Sequence, residues 1–358
     1  MQDKVGNSKL TKFMRAGAAL GAILMAGAAA PPPPASDISP ASALDAMSSA
    51  TVTNGILSAK VYLPVPSGFY HGTRFDHAGI VTHLTYKGQD YGRYWFSETS
   101  PEVHDFTYDG DKVVVGPASA VAGPVEEFDE IGFDAAGVGG AFLKIGVGIL
   151  KRNTEKYDHV LLYPIVNEGK RTTKATKDGV RFTQDISGDP SGYGYSYVKT
   201  VHMVPGKPEM TIAHVLKNTG TKPIVTMVYC HNFLSLSPGD ENIELTAPFI
   251  LKPERTPDPA LAKVEGRSLR YVRKMSGQDT VSTGFTGFGD SSSDYDFRTV
   301  NTATGFGVRT RADQPLARIN MWSIATTFSW EPYIAISLNP GETRRWTYTY
   351  DYFAGGEH

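Results

Sequence analysis

The sequence predicts an all-β protein, folded as a sandwich or a barrel. After residue 55, apolar and polar residues alternate with a period of two, and β-branched and aromatic residues cluster in short runs. Gly and Pro, with 37 and 23 of the 358 residues, supply frequent turns between these runs. Helical periodicity is hard to find in the same region, which argues against strands alternating with helices around a parallel sheet.

The N-terminal segment has the composition of an export signal. Four basic side chains and a single acidic one lie among the first 15 residues, and an apolar run of small residues follows from Ala16 to about Ala30. Such a run after a basic head is typical of a secretory signal peptide, and it is shorter than the ~20 residues of a membrane span. We therefore expect removal of residues 1–30, a Pro/Ala/Ser-rich linker over 31–54 and one domain over 55–358. The mature protein would be periplasmic or secreted.

Within the predicted domain, alternation and turn signals indicate antiparallel hairpins. Turn-forming residues at 87–90, 109–111, 205–208 and 339–342 separate neighbouring apolar runs, and 259–263 is a candidate short helix. The predicted strands are 80–86, 91–96, 106–108, 112–115, 159–166, 180–184, 195–204, 210–217, 224–235, 333–338 and 343–352.

Composition and motifs limit the classes of function. Lys and Arg total 35 against 37 Asp and Glu, so the formal net charge of −2 gives no basic excess for nucleic acid. A single cysteine excludes an internal disulfide and a cysteine-based zinc or iron–sulfur site. Phosphate-binding loops, nucleophile elbows and HExxH motifs do not occur in the sequence. We predict no cofactor, no catalytic metal and, once the signal is removed, no membrane or nucleic-acid partner; the oligomeric state stays open.

One pair of strand-like segments carries a histidine among apolar residues. Residues 210–236 read as a strand, an Asn-Thr-Gly-Thr-Lys-Pro turn and a second strand ending in His231 and Phe233. This arrangement resembles the aldose 1-epimerase (galactose mutarotase) superfamily, in which such a strand carries the catalytic histidine. The other interpretation of His231 is a hydrogen-bonded histidine of the core.

A second segment resembles the same family near the C-terminus. The sequence Ser-Trp-Glu-Pro places Glu331 where the family keeps its catalytic carboxylate, and a Pro-Gly-Glu turn follows at 340–342. The resemblance implies a β-supersandwich, with large antiparallel sheets and a concave face that binds a sugar. It also implies that His231 and Glu331 form the catalytic acid–base pair. Without the resemblance, Glu331 reads as a turn residue in water.

A polar cluster at the start of the first predicted hairpin offers candidate sugar contacts. Arg74 and Asp76 share one strand face, and His77 follows them. A guanidinium presents a planar set of donors that suits vicinal hydroxyls. The two residues either bind sugar hydroxyls or form an ordinary ion pair.

An aromatic strand offers a second set of candidates. Tyr193, Tyr195, Tyr197 and Lys199 alternate along one face. They form either a saccharide platform or an aromatic ladder between strands. The remaining predicted sugar contacts are His104, Asn232 and Trp330.

Three functions are compatible with these residues. The first is an exported mutarotase acting on a saccharide, in which Glu331 deprotonates the anomeric hydroxyl while His231 protonates the ring oxygen. The second is a polysaccharide lyase on the same fold, and the third is a carbohydrate-binding protein without catalysis.

Overall fold

The computed structural model describes residues 40–355, with side chains from residue 43 onward. About 48% of the described residues are in strands and about 4% in helices, which confirms the predicted all-β class. The predicted signal peptide, 1–30, and the first part of the predicted linker lie outside the described residues.

The strands are numbered in chain order. The first thirteen are β1 (Ser49–Thr53), β2 (Leu57–Tyr62), β3 (Val81–Tyr86), β4 (Gln89–Asp90), β5 (Glu98–Thr99), β6 (Phe106–Asp109), β7 (Lys112–Val115), β8 (Val125–Phe128), β9 (Ala141–Lys144), β10 (Gly148–Lys151), β11 (Ile165–Asn167), β12 (Lys170–Ala175) and β13 (Gly179–Ile186). The others are β14 (Tyr195–Met203), β15 (Glu209–Asn218), β16 (Ile224–His231), β17 (Ile243–Thr246), β18 (Lys252–Pro253), β19 (Ala262–Glu265), β20 (Ser268–Tyr271), β21 (Thr280–Thr286), β22 (Asp296–Asn301), β23 (Gly307–Ala312), β24 (Arg318–Ile324), β25 (Thr327–Leu338) and β26 (Thr343–Phe353). The helices are short: α1 (Pro40–Asp45), α2 (Phe133–Ala136) and two 3₁₀ turns, Pro238–Asp240 and Ser292–Asp294.

Two antiparallel sheets dominate the architecture. The larger has ten strands in the order β12-β13-β14-β15-β26-β23-β22-β17-β20-β19, and the second has six in the order β18-β21-β24-β25-β16-β8. Smaller sheets are formed by β1 to β4, by β9 to β11 and by β5 to β7. The main core lies between the two large sheets, where the ring of Phe128 contacts Tyr197 and Trp346, and Trp330 contacts Phe297.

Burial along two strands shows how the layers are arranged. In β14, buried and partly exposed residues alternate over the whole strand, so a single face is covered. In β25, the first eight residues are all buried, so both faces of this part of the strand are covered. One face of β25 packs on the ten-stranded sheet through Trp330 and Ile334. The other face, which carries Glu331, lies opposite the loop residues Phe75 and Trp95 and opposite Phe106 of β6.

Some predicted elements differ from the structure. Residues 91–96 are not a continuous strand: Trp95 and Phe96 are buried in an aromatic cluster, so their apolar pattern reflects burial and not strand pairing. Most of 159–166 is a loop, and strand β11 begins only at Ile165. The candidate helix at 259–263 instead leads into strand β19.

The structured part of the chain also begins before the boundary predicted at residue 55. Strand β1 pairs with β2 along its whole length, and Val52 is fully buried. The Ser/Ala-rich composition of this region suggested a linker, but pairing with a neighbouring strand depends on backbone hydrogen bonds that composition does not reveal.

Candidate active site

The register of the six-stranded sheet brings His231 and Glu331 together. On the adjacent strands β16 and β25, Tyr229 pairs with Tyr333, so the residues two further along β16 and two back along β25 share the same face. His231 Nε2 lies 3.3 Å from Glu331 Oε1, and both side chains are at least nine-tenths buried.

The same register continues across the next two strands. Asn320 on β24 is the partner of Glu331, and Gly284 on β21 is the partner of Asn320. One row further along the strands, Trp322 pairs with Ser282. One face of the sheet therefore presents a histidine, a carboxyl, an amide and an indole side by side.

These residues lie in a cavity of about 480 Å³. One part of its wall is aromatic: Phe75, Trp95, Phe106, Phe233 and Trp322. Besides His231 and Glu331, its charged or titratable lining groups are Arg74, Asp105, His159, Glu254 and Arg255.

His231 is held by aromatic rings. Its imidazole stacks on Phe233 with ring centroids 3.6 Å apart, and the rings of Phe75 and Trp322 approach at 5.9 and 5.8 Å with near-perpendicular planes. Its Nδ1 is buried and has no hydrogen-bond partner among the described residues. Burial, helped by the positive charge of Arg74, lowers the pKa of His231 well below its ordinary value.

Glu331 has the opposite shift. Burial raises its pKa to about 8; the negative charge of Glu127 adds to the effect, and the guanidinium groups of Arg74 and Arg318 oppose it. A low pKa on the histidine and a high pKa on the carboxyl mean that near neutral pH the pair holds one proton. Such a pair can accept one proton while it donates another.

Glu127 anchors the arginine of the cavity. It lies on β8 beside Tyr229 of β16, and its Oε2 accepts hydrogen bonds from Arg74 Nε at 2.8 Å and from the Tyr229 hydroxyl at 2.5 Å. Lys144 Nζ lies 3.6 Å from Oε1. Burial works against ionisation, but Arg74 and Lys144 hold the pKa of Glu127 at about 2. Arg74 is therefore fixed in the cavity wall by the buried carboxylate of Glu127.

Four of the predicted sugar contacts are instead part of the core between the large sheets. Lys199 is fully buried against Glu126 and lies 3.5 Å from Asp76, whose carboxylate also accepts from the Tyr197 hydroxyl at 3.1 Å. The Tyr195 hydroxyl donates to Gln184 at 2.6 Å. The prediction that these residues bind sugar is therefore wrong, because the face they share covers the core. Tyr193 is also absent from the cavity lining.

The other predicted contacts also lie away from the cavity lining. His77 Nε2 bonds the Gly72 carbonyl at 2.7 Å, and burial lowers its pKa to about 4. His104 pairs with Asp158 at 2.9 Å on the surface. Asn232 donates to the Trp330 carbonyl at 2.7 Å, and the Trp330 ring packs in the core, because both residues point away from the cavity face. Of the predicted set, the cavity contains His231, Glu331 and Arg74.

The cavity residues Asn320 and Trp322 were not predicted. They alternate along β24, and Glu127, which holds Arg74, lies on β8; neither strand is among the predicted ones. The alternation of Arg318, Asn320 and Trp322 was a usable signal, since it marks one polar-aromatic strand face. Their positions opposite Glu331 and Tyr229, however, depend on strand register.

The described residues contain no group of three or more His, Cys, Asp or Glu side chains placed to bind a metal ion. Among the same residues, no helix has the length and apolarity to cross a membrane.

Known structures with the same architecture include mutarotase-like proteins. The chain is similar to a galactose mutarotase-like protein from Clostridium acetobutylicum, with a TM-score of 0.51 and 11% identity over 87% of this chain and 96% of that one. It is similar to a proposed aldose 1-epimerase from Escherichia coli, with a TM-score of 0.50 and 14% identity over 86% and 99%. No family model and no curated protein matches the sequence. At these identities the similarity shows the fold, which is the galactose mutarotase-like β-supersandwich that the sequence resemblance implied.

Proposed function

We propose that the protein is a carbohydrate-active enzyme of the aldose 1-epimerase type, with His231 and Glu331 as its acid–base pair. The observation that supports this most is the 3.3 Å approach of His231 Nε2 to Glu331 Oε1 in an aromatic-walled cavity. Mutarotation needs a base at the anomeric hydroxyl and an acid at the adjacent ring oxygen, and two groups this close match that requirement.

The reaction moves two protons and breaks one bond. Glu331 in its ionised form takes the proton of the anomeric hydroxyl, and His231 in its protonated form gives a proton to the ring oxygen as the bond from C1 to that oxygen breaks. The open-chain aldehyde rotates about C1–C2, and the reverse transfers close the ring as the other anomer. The pair holds one proton throughout. Because the pKa of Glu331 is raised and that of His231 is lowered, this proton rests on Glu331, and it must move to His231 before the reaction runs in this direction.

The surrounding residues would orient the sugar. Trp322 is partly exposed in the cavity, and an aromatic face suits the apolar C–H side of a pyranose. Arg74, held by Glu127, offers donors for hydroxyl oxygens. The stacked ring of Phe233 fixes the imidazole plane of His231.

The direct test follows anomer exchange by NMR. Freshly dissolved α-glucose and α-galactose are mixed with the purified protein, and the α and β anomeric signals are recorded with time. We expect the protein to accelerate exchange, and Glu331→Gln and His231→Asn each to lower kcat by roughly 10²-fold or more. The matched control is Asp290→Asn, an exposed carboxylate outside the cavity, which should retain full activity.

Other outcomes would redirect the assignment. Full activity in either cavity variant would remove that residue from the mechanism. Absorbance near 235 nm on uronic-acid polymers, without mutarotation, would favour a lyase. Sugar binding with neither reaction would favour a carbohydrate-binding protein.

We also propose export, on the basis of the basic and apolar N-terminal segment. N-terminal sequencing of the protein from a periplasmic or secreted fraction should recover a new N-terminus near residue 30. Recovery of Met1 in that fraction would contradict the proposal.

A further inference from the structure

We infer that the cavity has a second sugar subsite, formed by Glu254 and Arg255, and that the substrate is a reducing oligosaccharide of at least two units. This inference rests on the proposed function, because it places the reducing-end sugar at His231 and Glu331. The second subsite lies at the opposite end of the same row of paired strand residues.

The Glu254 side chain fits at the cavity because the residue opposite it on the neighbouring strand is a glycine, Gly284. Its backbone N–H donates to the Gly284 carbonyl at 2.9 Å, which continues the pairing of β18 with β21. Its carboxylate lies above the Cα of Gly284, where any Cβ would overlap it. Both residues line the cavity.

The backbone of Arg255 is fixed by two hydrogen bonds to the Thr283 hydroxyl. The Thr283 hydroxyl, which is buried, donates to the Arg255 carbonyl at 2.7 Å and accepts from the Arg255 N–H at 3.2 Å. The guanidinium donates to the Ser282 carbonyl at 2.6 Å. Glu254 and Arg255 are exposed, and within the described residues neither forms a salt bridge, so the Glu254 carboxylate and the remaining guanidinium donors of Arg255 are open to hydroxyl groups.

The spacing indicates a second sugar ring. Glu331 and Gly284 both pair with Asn320, from opposite sides, so they are two strand spacings apart, roughly 10 Å. That separation exceeds the length of one pyranose ring. Glu254 lies over Gly284, at the end of the row away from Glu331. The partly exposed Trp322 ring lies in the next row, within reach of a saccharide that spans the two ends. A cavity of about 480 Å³ also exceeds what one hexose fills.

The test compares sugars that share a reducing-end glucose. Exchange of the α and β anomers is measured by NMR for glucose, maltose, cellobiose and lactose. We expect kcat/KM for at least one disaccharide to exceed that for glucose by tenfold or more. Glu254→Gln should lower this disaccharide-to-glucose ratio about tenfold, the loss expected for one hydrogen bond to a charged group. Gly284→Ala should lower it similarly, because the new Cβ displaces the Glu254 carboxylate without changing its charge.

Asp290→Asn removes an exposed carboxylate outside the cavity and should leave the ratio unchanged. A wild-type ratio of one or less for all three disaccharides, or a ratio that neither cavity variant alters, would overturn the inference. If no sugar is turned over at all, the proposed function fails, and saturation-transfer NMR with methyl β-maltoside and methyl β-glucoside decides the inference separately. Tighter binding of the maltoside that is lost in Glu254→Gln would support the subsite; equal binding, or none, would overturn it.

Discussion

Glu126 and Glu331 are both buried on the six-stranded sheet, but they face opposite sides and have opposite electrostatics. Glu126 faces the core, where Lys199 and His214 donate to its two oxygens. Burial opposes its ionisation, yet the attraction of Lys199 and the bond from His214 keep its pKa at about 2. Glu331 faces the cavity and has only His231 within ion-pair distance among the described residues. Burial therefore dominates there and raises its pKa to about 8.

The difference separates structural from reactive buried charges. A buried carboxylate that is paired with cations and hydrogen-bond donors stabilises one arrangement of the sheets, and it stays ionised because these partners favour its charged form. A buried carboxyl that lacks such partners is costly to the fold and is typical of functional sites. Asp76, Tyr197 and Lys199, which were wrongly predicted as sugar contacts, belong to the cluster of paired buried groups around Glu126.

We expect the largest effect on stability when the cluster of paired buried groups around Glu126 loses its lysine. Lys199→Met leaves Glu126 and Asp76 buried without their cation, and we expect it to lower the free energy of unfolding by about 3–5 kcal/mol. Urea denaturation followed by tryptophan fluorescence measures this. Lys217→Met, an exposed lysine on the neighbouring strand β15, is the control and should change it by less than about 0.5 kcal/mol. A loss below 1 kcal/mol for Lys199→Met would contradict the structural role.

Replacing Glu331 with a residue that cannot ionise should instead raise the free energy of unfolding. The pKa of Glu331 is raised in the folded protein, so its contribution to stability falls as pH rises from its ordinary pKa of 4.5 toward 8. Glu331→Gln removes this cost and should stabilise the protein at pH 7 by up to about 3 kcal/mol, with little change at pH 4. Thermal unfolding at the two pH values measures the difference. An unchanged or lower Tm at pH 7 would mean that Glu331 is ionised and well solvated in the fold.

The smallest expected effect is a shift of the pH profile. The pair is active when it holds one proton. Activity should therefore fall at low pH, where His231 becomes protonated and the pair holds two protons, and above about pH 8, where Glu331 loses its proton and the pair holds none. The negative charge of Glu127 raises the pKa of both groups, so Glu127→Gln should move both limbs of the kcat/KM profile to lower pH by about 0.5–1 unit. Glu265→Gln, an exposed carboxylate on β19, is the control. A shift to higher pH would contradict this reading of the electrostatics.

Much of the fold followed from the sequence, and a smaller part of the site did. The long strands β14, β15, β16 and β26 were predicted because alternation and turn residues are local signals. His231 and Glu331 were found through short segments that resemble a family. The two-residue strands β4, β5 and β18 and the loop with Trp95 gave no such signal, because their positions depend on partners far away in the chain.

Local order along the chain was sufficient to define the strands, the turns and which residues of a strand share a face, since the backbone alternates its side chains with a period of two. It did not decide which sheet a face would cover. Tyr195, Tyr197 and Lys199 do share one face, but that face covers the core. Asn320, Trp322 and Glu127 join His231 and Glu331 only because β24, β25, β16 and β8 pair in one register. Register is set by the packing of whole sheets, and a shift of one residue would turn each of these side chains to the opposite face.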